Sequence, residues 1–196
     1  MVALELGLRY VSAAEGAGLL QEGRVGIVPT ETVVGLVAGQ DGLSRLFEIK
    51  GRRSDKPIAL LCGSAQDAFS LCRDVPPLAH LLAERFWPGP ITLVLDSARG
   101  GTVGVRVPVH PVPRTVLAAY GGPLHATSAN PSGKPAPRTL EGINLAVRAA
   151  ADFAIHGEPG SGEASAVVDL SGGKIRLLRP AESFDETQLF NLANLA

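Results

Sequence analysis

Short apolar runs rich in β-branched residues recur along the chain, at positions 25–28, 58–61, 91–95, 103–107, 166–170 and 175–178. Runs of that length and composition read as strands. Segments with helical spacing lie between them: Leu43, Leu46 and Phe47 after Asp41, and Leu78, Leu81 and Leu82 after Pro76-Pro77, where proline suits a helix start. Ser64 three residues before Asp67 predicts a helix N-cap, and further helices are predicted over 12–22, 113–120, 139–150 and 185–195. The alternation implies an α/β class, with a mixed sheet and flanking helices. At 196 residues and 45% hydrophobic, the chain can bury one substantial core, so a single domain over 1–196 is expected.

The formal net charge of -1 gives no general attraction to nucleic acid or an anionic membrane. The distribution of charge is more informative. Between Ser97 and Leu140 there is no Asp or Glu, while Arg99, Arg106, Arg114, Lys134 and Arg138 all fall inside, which predicts one region of the fold that attracts anions. Cys62 and Cys72 match no metal spacing and sit among apolar residues, so reduced core thiols are expected. No segment approaches 18 uninterrupted apolar residues and the N-terminus lacks a basic region before a long apolar run. Those absences predict neither export nor membrane insertion, and a cytoplasmic location.

Four segments could carry chemistry. In 25–36 a buried strand runs into Pro29 and then delivers Thr30 and Thr32 beside Glu31, either a ligand-contacting strand end or an ordinary capped turn. In 47–57 the cations Lys50, Arg52, Arg53 and Lys56 follow a short helix; they could hold phosphates or simply complement the helix dipole. Arg106 lies inside an otherwise apolar strand, where an unpaired charge costs several kcal/mol, so it needs a carboxylate from the protein or from a ligand. His125 to Lys134 reads as a strand ending in a loop of small hydroxyl and amide groups, suited to phosphate or ribose contacts or to a capped turn. There is no GxxxxGK[ST], no GxGxxG and no GxSxG, so neither standard nucleotide cradle nor a covalent hydrolase is indicated.

Taken in order, PTETVVGL, the Lys50-Gly51-Arg52 triplet, FWPGPITLVL from Phe86, VGVRVP, TSANPSGKP and SAVVDL resemble the YrdC/TsaC family across nearly the whole chain. The resemblance implies a twisted mixed sheet of the YrdC/RibB-like kind enclosing a large, positively charged cavity. It also implies a threonylcarbamoyl-adenylate synthase activity that joins L-threonine, bicarbonate and ATP, with Mg²⁺ accompanying the nucleotide. The product would serve tRNA threonylcarbamoyladenosine modification, with tRNA or tRNA-modification proteins as further partners. Residue by residue, the family's KxR and SxN signatures fall on Lys50 with Arg52 and on Ser128 with Asn130, implying contacts to ATP phosphates, with Lys56 assisting. Thr30 and Arg106 match threonine-contacting positions, Arg106 through the carboxylate. Thr102, Arg138, Ser165 and Arg179 match further positions facing nucleotide or substrate, Ser165 on the threonine side.

Two departures bear on substrate preference: Val34 stands where relatives carry Tyr, and Ala166 where they carry Thr. The chain also resembles the short form, without the extra C-terminal domain of longer relatives. The implied chemistry needs no protein nucleophile, only proximity and cations at the phosphates, with Lys50 expected as an exposed cavity side chain of little weight in folding. Two other readings compete. One is an RNA-binding module without chemistry, which the 5% aromatic content disfavours; the other is a related carbamoyl-adenylate enzyme or an inactive relative.

Overall fold

The computed structural model describes residues 8–53 and 57–195. In chain order the elements are β1 (Arg9–Tyr10), α1 (Ala13–Gln21), β2 (Val25–Val28), β3 (Gly35–Ala38), α2 (Leu43–Lys50), β4 (Ala59–Leu61), α3 (Ala65–Ser70), α4 (Pro77–Phe86) and β5 (Ile91–Asp96). They continue with β6 (Thr102–Arg106), α5 (Pro111–Tyr120), β7 (Leu124–Ser128), α6 (Leu145–Ala150), β8 (Phe153–Ala154), β9 (Ala166–Asp169), β10 (Arg176–Arg179) and α7 (Glu186–Ala193). The strands form one mixed sheet in the order β1-β8-β2-β3-β7-β4-β6-β5-β9-β10. Through its centre β3 with β7, β4 with β7 and β5 with β6 pair antiparallel, and β4 with β6 and β5 with β9 pair parallel.

Local chemistry explains most boundaries. Ser12 caps α1 by accepting from Glu15 N, and Ser64 caps α3 by accepting from Asp67 N, the cap expected from the sequence. Pro77 opens α4, Gly51 closes α2 in the left-handed region, and Asp185 with Gln188 forms a capping box at α7. The expected helix over 139–150 is shorter than its spacing suggested. Asn144 caps α6 through Ala146 N, while Gly142 N bonds Thr139 O in a turn before it. Helix α5 starts earlier than expected, at Pro111, because the His110 imidazole accepts from Val112 N. Strand β3 and the two-residue β1 and β8 were not anticipated.

Apolar layers form on the sheet. Leu78 and Leu82 of α4 and Leu189 and Leu192 of α7 cover Leu93, Val105 and Val168, where Phe184 meets Phe86 edge-on with centroids 5.1 Å apart. Leu20 of α1 and Val116 and Leu117 of α5 cover Val28, Val37 and Phe153. Cys62 is fully buried and both cysteines are free; burial pushes the Cys62 thiol up to about 12, which makes it a poor nucleophile. Among the described residues no helix is long and apolar enough to cross a membrane.

Phe153 fits because its partner in register on β2 is Gly26: a Cβ there would lie 2.2 Å from the ring. Gly26→Ala is therefore expected to destabilise the protein by about 1–3 kcal/mol through overpacking, read as a lower denaturation midpoint with unchanged slope. Adding Phe153→Leu should recover part of that loss.

Candidate functional site

The central strands leave one side of the sheet open over a cavity of about 370 Å³, within the range of small-molecule sites. Thr30, Arg52, Arg106, Ser128, Ser165 and Arg179, all singled out from the sequence, line it, and no acidic side chain does among the described residues. The sequence also singled out Lys50 and Asn130, which lie buried behind this wall, and Thr102 and Arg138, which are exposed and outside the lining. Lys56 lies outside the described residues.

Arg106, the last residue of β6, is 7% exposed. The sequence left its partner open between protein and ligand; the structure supplies a protein carboxylate, with Nη2 donating to Glu31 Oε1 at 2.6 Å. Nε donates to Gly89 O at 3.1 Å, and Nη1 and Nη2 each donate to Thr32 Oγ1 at 3.2 Å. Of the five guanidinium N–H groups, these contacts leave one on Nη1 without an acceptor among the described residues. Burial alone would raise the Glu31 carboxyl, but the Arg106 guanidinium and the amide N–H of Val109 outweigh it and hold the carboxyl below its ordinary 4.5.

The hydroxyls beyond the ion pair have a direction. Thr30 Oγ1 donates to Val33 O at 2.6 Å, so its proton is committed. The 2.9 Å contact between the Thr30 and Thr32 hydroxyls is then donated by Thr32, which receives the Arg106 N–H groups. The 157–162 segment straps this corner: Ser161 N bonds Glu31 O, Gly162 N bonds Thr32 O at 2.7 Å, and Arg138 Nε holds Gly160 O. Arg138 thus braces the strap from outside the cavity. Thr102 stands at the far end of β6, paired with Asp96.

Lys50 corrects an expectation. It is 3% exposed, not an exposed cavity lysine, because α2 ends by inserting its ammonium under the loop that follows β7. Within hydrogen-bonding distance of Nζ lie Ser128 O (2.7 Å), Asn130 Oδ1 (2.9 Å), Asn130 O (3.0 Å) and Ser128 Oγ (3.1 Å), and Ser132 N returns a bond to Lys50 O. Burial, and after it the Arg52 guanidinium, pulls the ammonium down to about 8, while the surrounding acceptors favour keeping its proton. The KxR and SxN signatures are thus one hydrogen-bonded unit. Arg52 Nη2 donates to Pro57 O at 2.9 Å, and the Asn130 amide ties the loop by donating to Lys134 O.

On the opposite wall Arg179 Nε donates to Ser165 O at 2.7 Å and Nη2 to Ser165 Oγ at 3.2 Å, while Ser165 Oγ lies 2.9 Å from Thr92 Oγ1. Burial and the nearby Arg106 guanidinium lower the Arg179 pKa, as expected of like charges sharing one cavity. Glu31, Thr32 and Thr92 were not assigned as site residues from the sequence. A lone hydroxyl in the apolar run 91–95 was the available signal for Thr92.

The Sua5/YciO/YrdC family model, described as "Telomere recombination", matches residues 18–181. The threonylcarbamoyl-AMP synthase of Pyrococcus abyssi is 37% identical over 177 residues, 84% of this chain and 52% of that protein. The threonylcarbamoyl-AMP synthase of Bacillus subtilis is 34% identical over 90% of this chain and 55% of its own length. The chain therefore spans about half the length of these curated relatives. Among solved structures, P. abyssi Sua5 complexed with L-threonine superposes with a TM-score of 0.80 at 34% identity, over 86% of this chain and 53% of that one. E. coli YciO, 21% identical over 90% of this chain and 92% of its own, shares the fold with a TM-score of 0.79.

Two outcomes are expected. Lys50→Met leaves two buried acceptors on Asn130 and two part-buried ones on Ser128 without their donor, so it should lower stability by about 1–3 kcal/mol, measured by denaturant titration. Glu31→Gln removes one side of a largely buried ion pair and should cost about 3–5 kcal/mol at neutral pH. Because the folded Glu31 carboxyl ionises below 4.5, its contribution is present above that value and fades as pH falls through the folded value. Acidification from pH 5 downward should accordingly weaken the unsubstituted protein more steeply than Glu31→Gln, in melting temperatures recorded across that range.

Proposed function

The chain belongs to the Sua5/YciO/YrdC family, and on that footing we propose that it is a nucleotidyltransferase making threonylcarbamoyl-adenylate from L-threonine, bicarbonate and ATP, with release of pyrophosphate. The observation that carries this reading is the cavity: it brings the linked Lys50–Ser128–Asn130 unit and Arg52 to one side and Arg106, Ser165 and Arg179 to the other. The relatives named threonylcarbamoyl-AMP synthase and the Sua5 structure complexed with L-threonine support the choice of substrate.

In this reading the threonine amine attacks bicarbonate, forming a C–N bond and releasing water, to leave a carbamate. A carbamate oxygen then attacks the α-phosphorus of ATP; the new P–O bond forms as the bond to the departing pyrophosphate breaks. The chain supplies no nucleophile. Arg52, Ser128 and Arg179 hold the nucleotide and offset charge on the phosphates, while Lys50 shapes the Ser128–Asn130 loop as a positioning residue. Arg106, Thr30 and Ser165 orient the amino acid, Thr30 through its methyl because its hydroxyl is already engaged with Val33 O and Thr32. Holding the reactants together in this way can supply roughly 7–11 kcal/mol of the barrier.

Mg²⁺ ordinarily takes oxygen ligands, carboxylates prominent among them. Among the described residues the cavity lining offers no carboxylate, and no group of three His, Cys, Asp or Glu side chains could hold a metal. The described residues do not fit a protein-held magnesium ion. Mg²⁺ enters this proposal only as part of the ATP substrate.

The product is an activated carbamoyl group suited to acylating an adenosine of tRNA, which puts the reaction in the cytoplasm beside tRNA and its modification proteins. The test is pyrophosphate release from ATP, bicarbonate and magnesium with threonine, serine or no amino acid. Threonine-dependent release is expected, with Arg106→Lys raising the half-saturating threonine concentration at least tenfold. Folded protein that releases no pyrophosphate under these conditions would overturn the reading in favour of a binding module.

A further inference from the structure

Seven glycines are buried among the described residues: Gly16, Gly26, Gly35, Gly39, Gly42, Gly89 and Gly104. Five have a packing reason, since a Cβ at Gly16, Gly26, Gly39, Gly42 or Gly89 would come within 3.0 Å or less of a neighbouring atom. The other two do not. A Cβ at Gly104 would find Ala59 Cβ at 3.4 Å and Thr92 Cγ2 at 3.6 Å, and one at Gly35 would find Thr127 O at 3.5 Å, all ordinary contacts. Neither has a positive φ, so the backbone does not require glycine at either place. Both line the cavity.

Glycine inside a strand sacrifices conformational stability and packing, and where neither backbone nor neighbours require it, the remaining reason is close approach of something else. The surroundings of Gly104 say what. Ala126 of β7 pairs with Ala59 of β4, Ala59 lies beside Gly104 of β6, and Gly104 pairs with Val94 of β5. Together they make a floor of small apolar groups with the Thr92 methyl beside it. Arg106 is two residues further along β6 on the same face, about 6.6 Å away along the strand.

We propose that Gly104 is a specificity-determining residue: with the substrate carboxylate at Arg106, the methyl-bearing side chain of the amino acid rests on the Gly104 backbone, and the absent Cβ sets the size of side chain admitted. This rests on the reading of the cavity as an amino-acid and ATP site. It differs from the part played by Arg106, which recognises what all amino acids share.

Gly104→Ala tests it, because the fold has room for the added methyl while the cavity loses that space. Melting temperature should be unchanged or slightly higher. The half-saturating threonine concentration in pyrophosphate release should rise at least about tenfold, the discrimination typical of one methyl group in a closed pocket. The requirement for ATP should stay as it is, and serine, which lacks the methyl, should be less affected, so the preference for threonine over serine narrows. A lower melting temperature would make Gly104 a packing residue and overturn the inference. An unchanged threonine requirement, or a raised ATP requirement alone, would overturn it too. An unsubstituted chain that shows no threonine-dependent release removes the underlying reading, a result distinct from an active chain indifferent to the substitution.

Discussion

A guanidinium held inside an apolar sheet dictates much of what surrounds it. Arg106 occupies a strand position where hydrocarbon would ordinarily lie, and its charge is tolerable there because it is countered and most of its N–H groups find acceptors. Glu31 counters it, Thr32 and the Gly89 carbonyl take further donors, and each of those acceptors must itself be held still. The loop after β2 is accordingly pinned from three sides: by Arg106, by the amides of Val109 and His110 on the Glu31 carboxylate, and by the strap at Ser161 and Gly162. Desolvation makes any looser arrangement of this wall costly.

A second buried cation does comparable service on the other side. Lys50 closes α2 by reaching under the end of β7, so that helix, strand and loop share one hydrogen-bonded knot. Ser128 can thereby face the cavity in a fixed orientation, and Arg52, two residues after Lys50, is carried to the same rim. Between the two knots much of what the central strands present is small: Gly35, Ala59, Val94, Gly104 and Ala126. The cavity exists because the sheet omits side chains there, while the cations stand at its edges.

Much of the fold was legible in the sequence because it rests on local chemistry. β-branched runs, Ser12 and Ser64 at helix starts, and Pro76-Pro77 act within a few residues, and the structure follows them closely. The reading faltered where the deciding partner was remote. The helix over 139–150 lost its first turns to the Asn144 cap, and β3 went unread because Gly35 to Ala38 become a strand only by pairing with β2 and β7. Lys50 was expected as an exposed cavity side chain; its burial depends on oxygens 78 to 80 residues away.

For the candidate site the division is similar. Residue type alone marked Arg106, a charge in an apolar strand, and Ser128, a hydroxyl in a polar loop, while Ser165 and Arg179 were marked only by the family resemblance. Which carboxylate answers Arg106, which way the protons run through Thr32 to Thr30, and which glycines are open rather than filled were decided by tertiary structure. Those properties are distances between atoms brought together from separate strands, and a linear pattern carries residue types and spacings but no distances across a sheet. By itself the sequence determined the α/β alternation, the helix caps and the residue types available for binding anions; only the packed sheet decided which of them stand at the cavity and which hold it in shape.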